Sequence, residues 1–260
     1  MTEIKFTEEA QRFSRLLSPL KMDEVYFISL SARNKYLDQA ERDFYSLGRT
    51  EMFAREIIKK NDDFEFAFRK LTGHLYARRT NNGKEIPTKA IVCYMNINPS
   101  SVLKAVQQFK RELAEAEENL MRKVIINGNT ANEMDFEFFK KAKSKFNNAF
   151  QRNHSRKVFL DIDIDVKDLK VLINIIAKLT VNDARFCTIE TRGGFHILVK
   201  SDTVKGNYLY KVVEETAKMP EARGKEVMFN SNGMVPFPGT LHGDFMVKIR
   251  NEYSWLWENA

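Results

Sequence analysis

The chain has 260 residues, of which 43% are hydrophobic and 12% aromatic, so it carries enough apolar side chains to form a core of its own. No apolar run approaches the roughly 20 residues of a membrane span, and the N-terminal MTEIKFTEEAQRF lacks the apolar stretch of a signal peptide. We therefore expect a soluble, cytoplasmic protein without a membrane partner. Two cysteines in separate apolar runs predict buried thiols and argue against a disulfide or a zinc site. The net charge of +7 weakly favours a polyanionic partner.

Residues 1–72 have mainly helical patterns, with a possible short strand at Val25–Leu30. The Phe-rich NDDFEFAFRKL within this part reads as an amphipathic helix that packs on a larger unit. We interpret residues 1–72 as a mainly helical N-terminal extension and residues 73–260 as the principal domain.

The principal domain begins with a predicted hairpin, in which a turn around Asn81–Gly83 separates His74–Arg79 from a strand at Ala90–Ile97. Tyr76, Arg78 and Arg79 are candidate nucleic-acid contacts, because cations bind phosphates and an aromatic ring stacks on a base. A solvated hairpin end explains these three residues equally well.

Two helices follow the hairpin. Ser100 or Ser101 is the predicted cap of a long helix, VLKAVQQFKRELAEAEENLMRKVI, which is separated by the polar stretch 127–133 from a second, basic helix. The lysines of the second helix, at positions 140, 141, 143 and 145, are more typical of a solvated helix face than of a nucleic-acid site.

Residues 157–218 have the pattern strand 157–164, helix 167–179, strand 184–190, strand 195–199 and helix 205–218, and further strands follow. In the first strand, VFLDIDIDV, alternation places Asp161, Asp163 and Asp165 on one face and isoleucines on the other. Like charges at this spacing repel, so the pattern indicates a bound cation. The alternative is an edge strand with a solvated acidic face.

The hairpin IETRGGFHILVK, residues 189–200, carries the second unusual pattern. Gly193 and Gly194 allow a tight turn with exposed backbone amides, and His196 then points away from the apolar face of its strand. An ordinary hairpin with a surface or hydrogen-bonded core histidine is the alternative interpretation.

A third stretch, NSNGMVPFPGTLHGDFMVKIR at 230–250, is rich in proline and glycine. Gly239, Thr240 and Gly243 have the residue types that surround a phosphate with amides and a hydroxyl. Donors or positive charge would come from His242, Lys248 and Arg250. Taken alone, the stretch is also typical of a simple surface loop.

In their order along the chain, these stretches resemble the archaeo-eukaryotic primase superfamily. FLDID at 159–163 is similar to its hhDhD strand and GFH at 194–196 to its small-x-His turn. PGTLHG at 238–243 resembles the P-x-S-L-H-G element of primase small subunits, and YMNINP at 94–99 resembles the strand ending in N-P that opens many plasmid and viral primase-polymerase domains. The resemblance covers about residues 73–250.

This resemblance implies an α/β (α+β) fold with an RRM-like β-α-β-β primase-polymerase domain. It also implies a template-dependent DNA/RNA primase-polymerase for DNA replication, of a plasmid or virus in its host's cytoplasm. Its partners would be a single-stranded nucleic-acid template and nucleoside triphosphates. Because the chain contains no P-loop, a replicative helicase would be a separate chain.

The resemblance also assigns the site. Asp161 and Asp163 would hold Mg²⁺ or Mn²⁺, hard cations that prefer carboxylate oxygens, and His196 would act beside them. The remaining residues implied for nucleotide binding are Thr191, Arg192, Gly193 and Gly194 in the turn, and Thr240, His242, Lys248 and Arg250 in the third stretch.

One position departs from the family pattern. The third metal-binding acid stands shortly before the proline-containing element in the family, but the best-matching residue here is Asn230. Glu226 upstream or Asp244 downstream is a possible substitute. The alternative is therefore a catalytically degenerate, primase-like nucleic-acid-binding module. A different D-x-D metal enzyme, such as a nuclease or a glycosyltransferase, would explain the aspartates but not the ordered motifs.

Overall fold

The computed structural model describes residues 6–60, 63–77, 83–126, 136–205, 207–230 and 233–255. The α-helices are α1 Glu8–Leu16, α2 Gln39–Tyr45, α3 Phe64–Gly73, α4 Val102–Met121, α5 Glu137–Lys140, α6 Ala142–Arg152, α7 Leu169–Val181 and α8 Tyr208–Ala217. The strands are β1 Glu24–Arg33, β2 Thr50–Ile58, β3 Ile91–Asn96, β4 Ser100–Ser101, β5 Phe159–Ile164, β6 Phe186–Glu190, β7 Phe195–Lys200, β8 Val227–Asn230, β9 Met234–Pro236, β10 Leu241–His242, β11 Phe245–Met246 and β12 Lys248–Ile249. The mixed α/β class is therefore confirmed. None of the described helices combines the length and hydropathy needed to cross a membrane.

The larger sheet has the strand order β11-β10-β3-β1-β2, with β4 beside β1 and β9 beside β3. Strand β1 is buried along almost its whole length because helices cover both of its faces. Tyr26 and Ile28 pack in the core that includes α1 and α3, whereas Val25 packs with α4 and α6.

The first 72 residues contain more strand than the sequence pattern predicts. The short predicted strand is the ten-residue β1, and β2 lies in a stretch expected to be helical. The charged residues of TEMFAREII obscure its period of two, so the strand is hard to distinguish from a helix. Because β1 also pairs with β3, strands from both sides of residue 72 belong to one sheet.

The two predictions for residues 74–126 have different outcomes. His74–Ala77 forms a 3₁₀ helix that continues α3 instead of a hairpin strand, as is common where a helix tightens at its C-terminal end. The predicted turn falls on residues 81–83, of which 81 and 82 lie outside the described residues. The long helix is confirmed as α4, and the Ser101 side chain caps it by accepting a hydrogen bond from the Lys104 amide.

The smaller sheet has the order β12-β6-β7-β5-β8, and all of its pairs are antiparallel. Its elements follow the chain order predicted for residues 157–218. Ile162, Ile164 and Ile197 face the core formed with α7 and α8. On the opposite face, Phe159 and Leu198 join the core of the larger sheet. The two sheets therefore pack together through the face that carries the odd-numbered side chains of β5.

Asn98 fixes the beginning of β5 against the larger sheet. Its side-chain oxygen accepts hydrogen bonds from the amides of Val158 at 2.6 Å and Phe159 at 2.8 Å, and its amide nitrogen donates to the Phe159 carbonyl at 2.9 Å. Asn98 belongs to YMNINP, so this stretch positions the strand that carries the aspartates. All three bonds are buried, where their loss would leave polar groups unpaired.

Candidate functional site

The aspartates of β5 project toward the larger sheet. Asp161 is fully buried, the side chain of Asp163 is 35% exposed, and Asp165 is exposed just beyond the strand. Ile162 and Ile164 lie on the other face, against α7 and α8. The predicted alternation is therefore present, and it places the carboxylates where the two sheets meet.

His196 lies between the first two carboxylates. Strands β5 and β7 pair so that His196 is directly opposite Asp163. The histidine Nδ1 is 3.1 Å from both carboxylate oxygens of Asp161, and its Nε2 is 3.7 Å from Oδ1 of Asp163. One buried imidazole thus contacts two carboxylates on the neighbouring strand, and the nearer of them, Asp161, is 35 positions away in sequence.

The site carries excess negative charge. Burial raises the pKa of Asp163, and although His196 opposes this effect, the Asp161 and Asp165 carboxylates raise it further. Burial alone would lower the pKa of His196, but Asp161, Asp163 and Asp165 outweigh it and raise this pKa to about 9. The histidine is therefore protonated at neutral pH, and its single positive charge faces three carboxyl groups.

Asn230 occupies the position beside Asp161. The two residues are paired across β5 and β8 and so share one face of the sheet. Gly233 packs against both of these side chains, because a Cβ there would lie 2.9 Å from Oδ2 of Asp161 and 3.5 Å from Nδ2 of Asn230. Any larger residue would have to displace the carboxylate. The sequence pattern does not reveal this role of Gly233, since the contact depends on the pairing of β8.

The two substitute acids lie elsewhere. Glu226 is exposed, and its backbone carbonyl accepts a hydrogen bond from the Asp165 amide at 2.8 Å, which places it near the end of the aspartate strand. Asp244 pairs with Arg192 at 3.0 Å, and its side chain is 73% exposed. The carboxylate of Asp244 is thus already engaged by a cation.

The glycine turn lies against the end of β5. Thr191 closes it by donating its backbone amide to the Gly194 carbonyl at 2.9 Å. A Cβ on Gly194 would lie 1.8 Å from the Ile164 carbonyl oxygen, so only glycine allows this approach. At Gly193, a Cβ would lie 3.0 Å from Oδ1 of Asp165. The turn therefore borders the carboxylate group.

The third stretch uses several of its predicted phosphate donors within its own fold. The Thr240 hydroxyl donates to the Phe237 carbonyl at 2.6 Å, and the Gly239 amide donates to the Val247 carbonyl at 2.8 Å. The Gly243 amide belongs to the turn between β10 and β11, which pair at His242 and Phe245.

The basic side chains of the third stretch lie in different environments. Arg250 binds Glu190 at 2.6 Å and also Glu252, whereas Lys248 is exposed on the edge strand β12. His242 is buried, with its Nε2 against the hydroxyl of Tyr36. Among these residues, His242 is the one that the structure couples electrostatically to His196.

Sequence reasoning missed a further set of residues on the larger sheet. Arg33, Lys35 and Tyr36 follow or end β1, and Tyr94 lies on β3 beside them. Burial and the neighbouring Arg33 lower the pKa of Lys35, and the carboxylates of Asp165 and Asp163 oppose this effect only in part. The cation-rich RNKY at 33–36 was a signal, but its position opposite β5 depends on the packing of the two sheets.

No protein-family model, curated protein or solved structure matches this chain.

Asp161 and Asp163 supply carboxylate oxygens, and Asn230 supplies an amide group beside them. Carboxylate oxygens are the ligands that Mg²⁺ and Mn²⁺ prefer, and the raised pKa of Asp163 shows that its burial and its acidic neighbours oppose its ionisation. This donor set suits one hard divalent cation. In the described parts of the chain, no group of three or more His, Cys, Asp or Glu side chains is arranged to hold a metal ion.

The predicted nucleic-acid contacts lie largely outside the residues that the structure describes. Arg78 and Arg79 are not among the described residues, and for Tyr76 only the backbone, in the 3₁₀ helix His74–Ala77, is described. Their role stays a prediction.

Proposed function

We propose that this chain is a template-dependent primase-polymerase that uses a divalent metal for nucleotidyl transfer in DNA replication. The observation that carries the proposal is the meeting of two motif stretches at one point. FLDID supplies Asp161 and Asp163, GFH supplies His196, and the histidine contacts both carboxylates. A single short motif is weak evidence for a function, but two motifs whose residues meet at one site are much stronger evidence.

The smaller sheet supports the same proposal. Its elements run β5-α7-β6-β7-α8-β8, and four of its strands have the spatial order β6-β7-β5-β8. This is the connectivity of a split β-α-β, ferredoxin-like sheet. It agrees with the RRM-like unit expected of a primase-polymerase domain, and it has the acidic strand in a central position.

Each residue then has a role in the proposed chemistry. Asp161 and Asp163 would hold the metal, which when bound neutralises phosphate charge and activates an attacking hydroxyl. Asp161 orients His196 through Nδ1, so the imidazolium presents a positive charge beside the metal-binding carboxylates. The turn 191–194 places Arg192 and backbone amides next to the same strand.

A second candidate function has one specific observation in its favour. Asn230 stands beside Asp161 where the family pattern has a carboxylate, and an amide is a weaker, neutral ligand. A chain that keeps the nucleotide-binding and nucleic-acid-binding surfaces but loses the metal that activates the hydroxyl would be a catalytically degenerate binding module.

The test is incorporation of labelled nucleotides on a single-stranded template, with and without a primer, at a fixed Mn²⁺ concentration. We expect the wild type to incorporate and Asp161→Asn/Asp163→Asn to lose several orders of magnitude in rate, roughly the loss of a catalytic metal. The matched control is Asp43→Asn/Asp202→Asn, which removes two exposed carboxylates and should keep its activity. If wild type and control show no template-dependent incorporation while single-stranded DNA still binds, the binding module replaces the enzyme.

A further inference from the structure

Three cations converge on one aromatic cluster opposite the aspartate strand. The Lys35 Nζ lies 5.4 Å from the ring centroid of Tyr36, and the Arg192 guanidinium lies 5.0 Å from the same ring. Arg33 donates a hydrogen bond to the Tyr94 hydroxyl and lies 5.8 Å from that ring. We call Arg33, Lys35 and Arg192 the cation wall. Both sheets contribute to it.

Direct ion pairs among the described residues compensate the positive charge of this wall only in part. In the part of the chain that the structure describes, neither Arg33 nor Lys35 forms an ion pair with a carboxylate, and the partner of Arg192 is the exposed Asp244. The Arg33 Nε is also buried without a hydrogen-bond partner among the described residues. A buried donor without an acceptor is unfavourable, so the wall has both the charge and the free donor that an anion would satisfy.

The buried His242 lies within the same cluster. Its ring centroid is 5.1 Å from that of Tyr36 and 6.1 Å from that of Tyr94. Burial, Lys35, His196, Arg33 and Arg192 lower the pKa of His242 to about 3, so its imidazole is neutral among cations. Its Nδ1 has no hydrogen-bond partner among the described residues, although only 5% of the residue is exposed. This is a second polar atom at the wall that a ligand could satisfy.

The wall and the carboxylates form opposite sides of one site. Arg192 belongs to the turn that borders Asp165, and Lys35 is coupled electrostatically to Asp165 and Asp163. A metal-bound phosphate chain has complementary charge: its cation belongs at the carboxylates, and its remaining oxygens belong at the wall.

We propose that Arg33 and Lys35, together with Arg192, bind the polyphosphate chain of a nucleoside triphosphate. The proposal deepens the proposed function and rests on it for the identity of the nucleotide. A polyphosphate is favoured over the backbone of a nucleic-acid strand because these cations converge on the half-buried Tyr36 and the buried Tyr94, whereas a strand is bound by cations spaced along an exposed groove.

The experiment measures binding of inorganic tripolyphosphate by calorimetry in the absence of divalent metal. Arg33→Gln/Lys35→Gln should weaken binding roughly ten- to a hundredfold, the range expected for loss of charge-assisted hydrogen bonds. Lys35→Gln alone changes an exposed residue, so it should fold normally and show part of the loss. The control Arg69→Gln/Lys218→Gln removes two exposed cations, one in α3 and one that caps the C-terminal end of α8, and should bind like wild type.

Two results would overturn the inference: equal tripolyphosphate affinity in wild type and both wall variants, or no binding by the wild type. A loss confined to single-stranded DNA binding would assign the wall to the strand instead.

The outcomes also distinguish failure of the wall inference from failure of the proposed function. If the wall variants lose tripolyphosphate binding but no protein incorporates nucleotides, the anion site stands and the polymerase proposal falls. If Lys35→Gln incorporates with an unchanged KM for the triphosphate, the wall inference alone falls.

Discussion

Two buried carboxylate clusters in this protein differ in how far cations and hydrogen-bond donors compensate their negative charge. At the start of β1, Glu24 is fully buried, and its carboxylate accepts hydrogen bonds from the Lys21 amide at 2.9 Å, the Ser155 hydroxyl at 2.6 Å and the Arg156 guanidinium at 3.0 and 3.1 Å. Burial raises the pKa of Glu24, but these bonds together lower it to about 2.

At the junction of the sheets, Asp161 is equally buried, yet His196 is the one cation in direct contact with it and Asp163 among the described residues. The pKa of Asp163 is raised there. Since both clusters are buried, burial does not distinguish them. The difference is compensation: a carboxylate with all its bonds made stabilises the fold, whereas a carboxylate whose ionisation is opposed is typical of a ligand site.

The largest expected effect on stability is at the compensated cluster. Glu24→Gln should lower the free energy of unfolding by about 1.5–3 kcal/mol, because it removes the charge-assisted hydrogen bonds that the buried carboxylate accepts from Arg156. Urea unfolding measures the change. Glu65→Gln, which breaks the exposed pair with Arg69, is the control and should cost no more than about 0.5 kcal/mol. Equal effects of the two substitutions would show that the Glu24 cluster does not stabilise the fold.

The same cluster predicts a pH dependence. Because the pKa of Glu24 is about 2 in the folded protein and 4.5 without these interactions, its contribution is complete above pH 4.5 and is lost as the pH falls from 4.5 toward 2. The loss should approach roughly 3 kcal/mol. Unfolding measured across this range should be steeper in wild type than in Glu24→Gln. Parallel curves would contradict the assignment.

Removing a carboxylate from the uncompensated cluster should change the free energy of unfolding in the opposite direction. Asp163→Asn removes a carboxylate that faces Asp161 and Asp165, so in the presence of EDTA the free energy of unfolding should hold or rise by up to about 1 kcal/mol. Mn²⁺ should raise the melting temperature of the wild type and have little effect on the variant. Strong destabilisation of metal-free Asp163→Asn would show that the aspartate is structural.

Local sequence pattern predicted which face of β5 carries the aspartates, whereas the motif resemblance placed His196 beside them. The alternation in FLDIDI placed Asp161 and Asp163 on one face, and the tight turn at 191–194 fixes the register of β7, which carries His196, against β6. The period-two alternation and the tight turn are visible in the sequence, whereas the pairing of β7 with β5 joins strands that are separated along the chain by α7 and β6.

The other half depends on how the sheets pack. Lys35 and Tyr36 come from the end of β1, and no local periodicity shows that β1 lies across from β5. Asn98 makes this arrangement by bonding to the first residues of β5, a contact between distant segments. Thr240 illustrates the converse case, because a residue type suited to phosphate binding is hydrogen-bonded to its own loop.

Asn230→Asp should have the smallest effect on stability and adds a third carboxylate to the uncompensated cluster. The new carboxylate would be paired with Asp161 across β5 and β8, so the metal-free protein should lose roughly 0.5 kcal/mol from like-charge repulsion. Mn²⁺ should more than restore the melting temperature, because a third carboxylate strengthens the site. The rate of nucleotide incorporation should rise for the same reason. Asn148→Asp, on the exposed face of α6, is the matched control and should respond to neither.

The opposite outcome is equally informative about the third acid. If Glu226 or Asp244 supplies the metal ligand, Asn230→Asp will change incorporation little, whereas Glu226→Gln or Asp244→Asn will reduce it by several orders of magnitude, roughly the effect of losing a catalytic metal. The geometry favours the first outcome, because Asn230 is the cross-strand partner of Asp161, Glu226 lies near the far end of the aspartate strand, and Asp244 is bound to Arg192. Rates for these three single variants and the wild type, measured at one Mn²⁺ concentration, decide which residue completes the site.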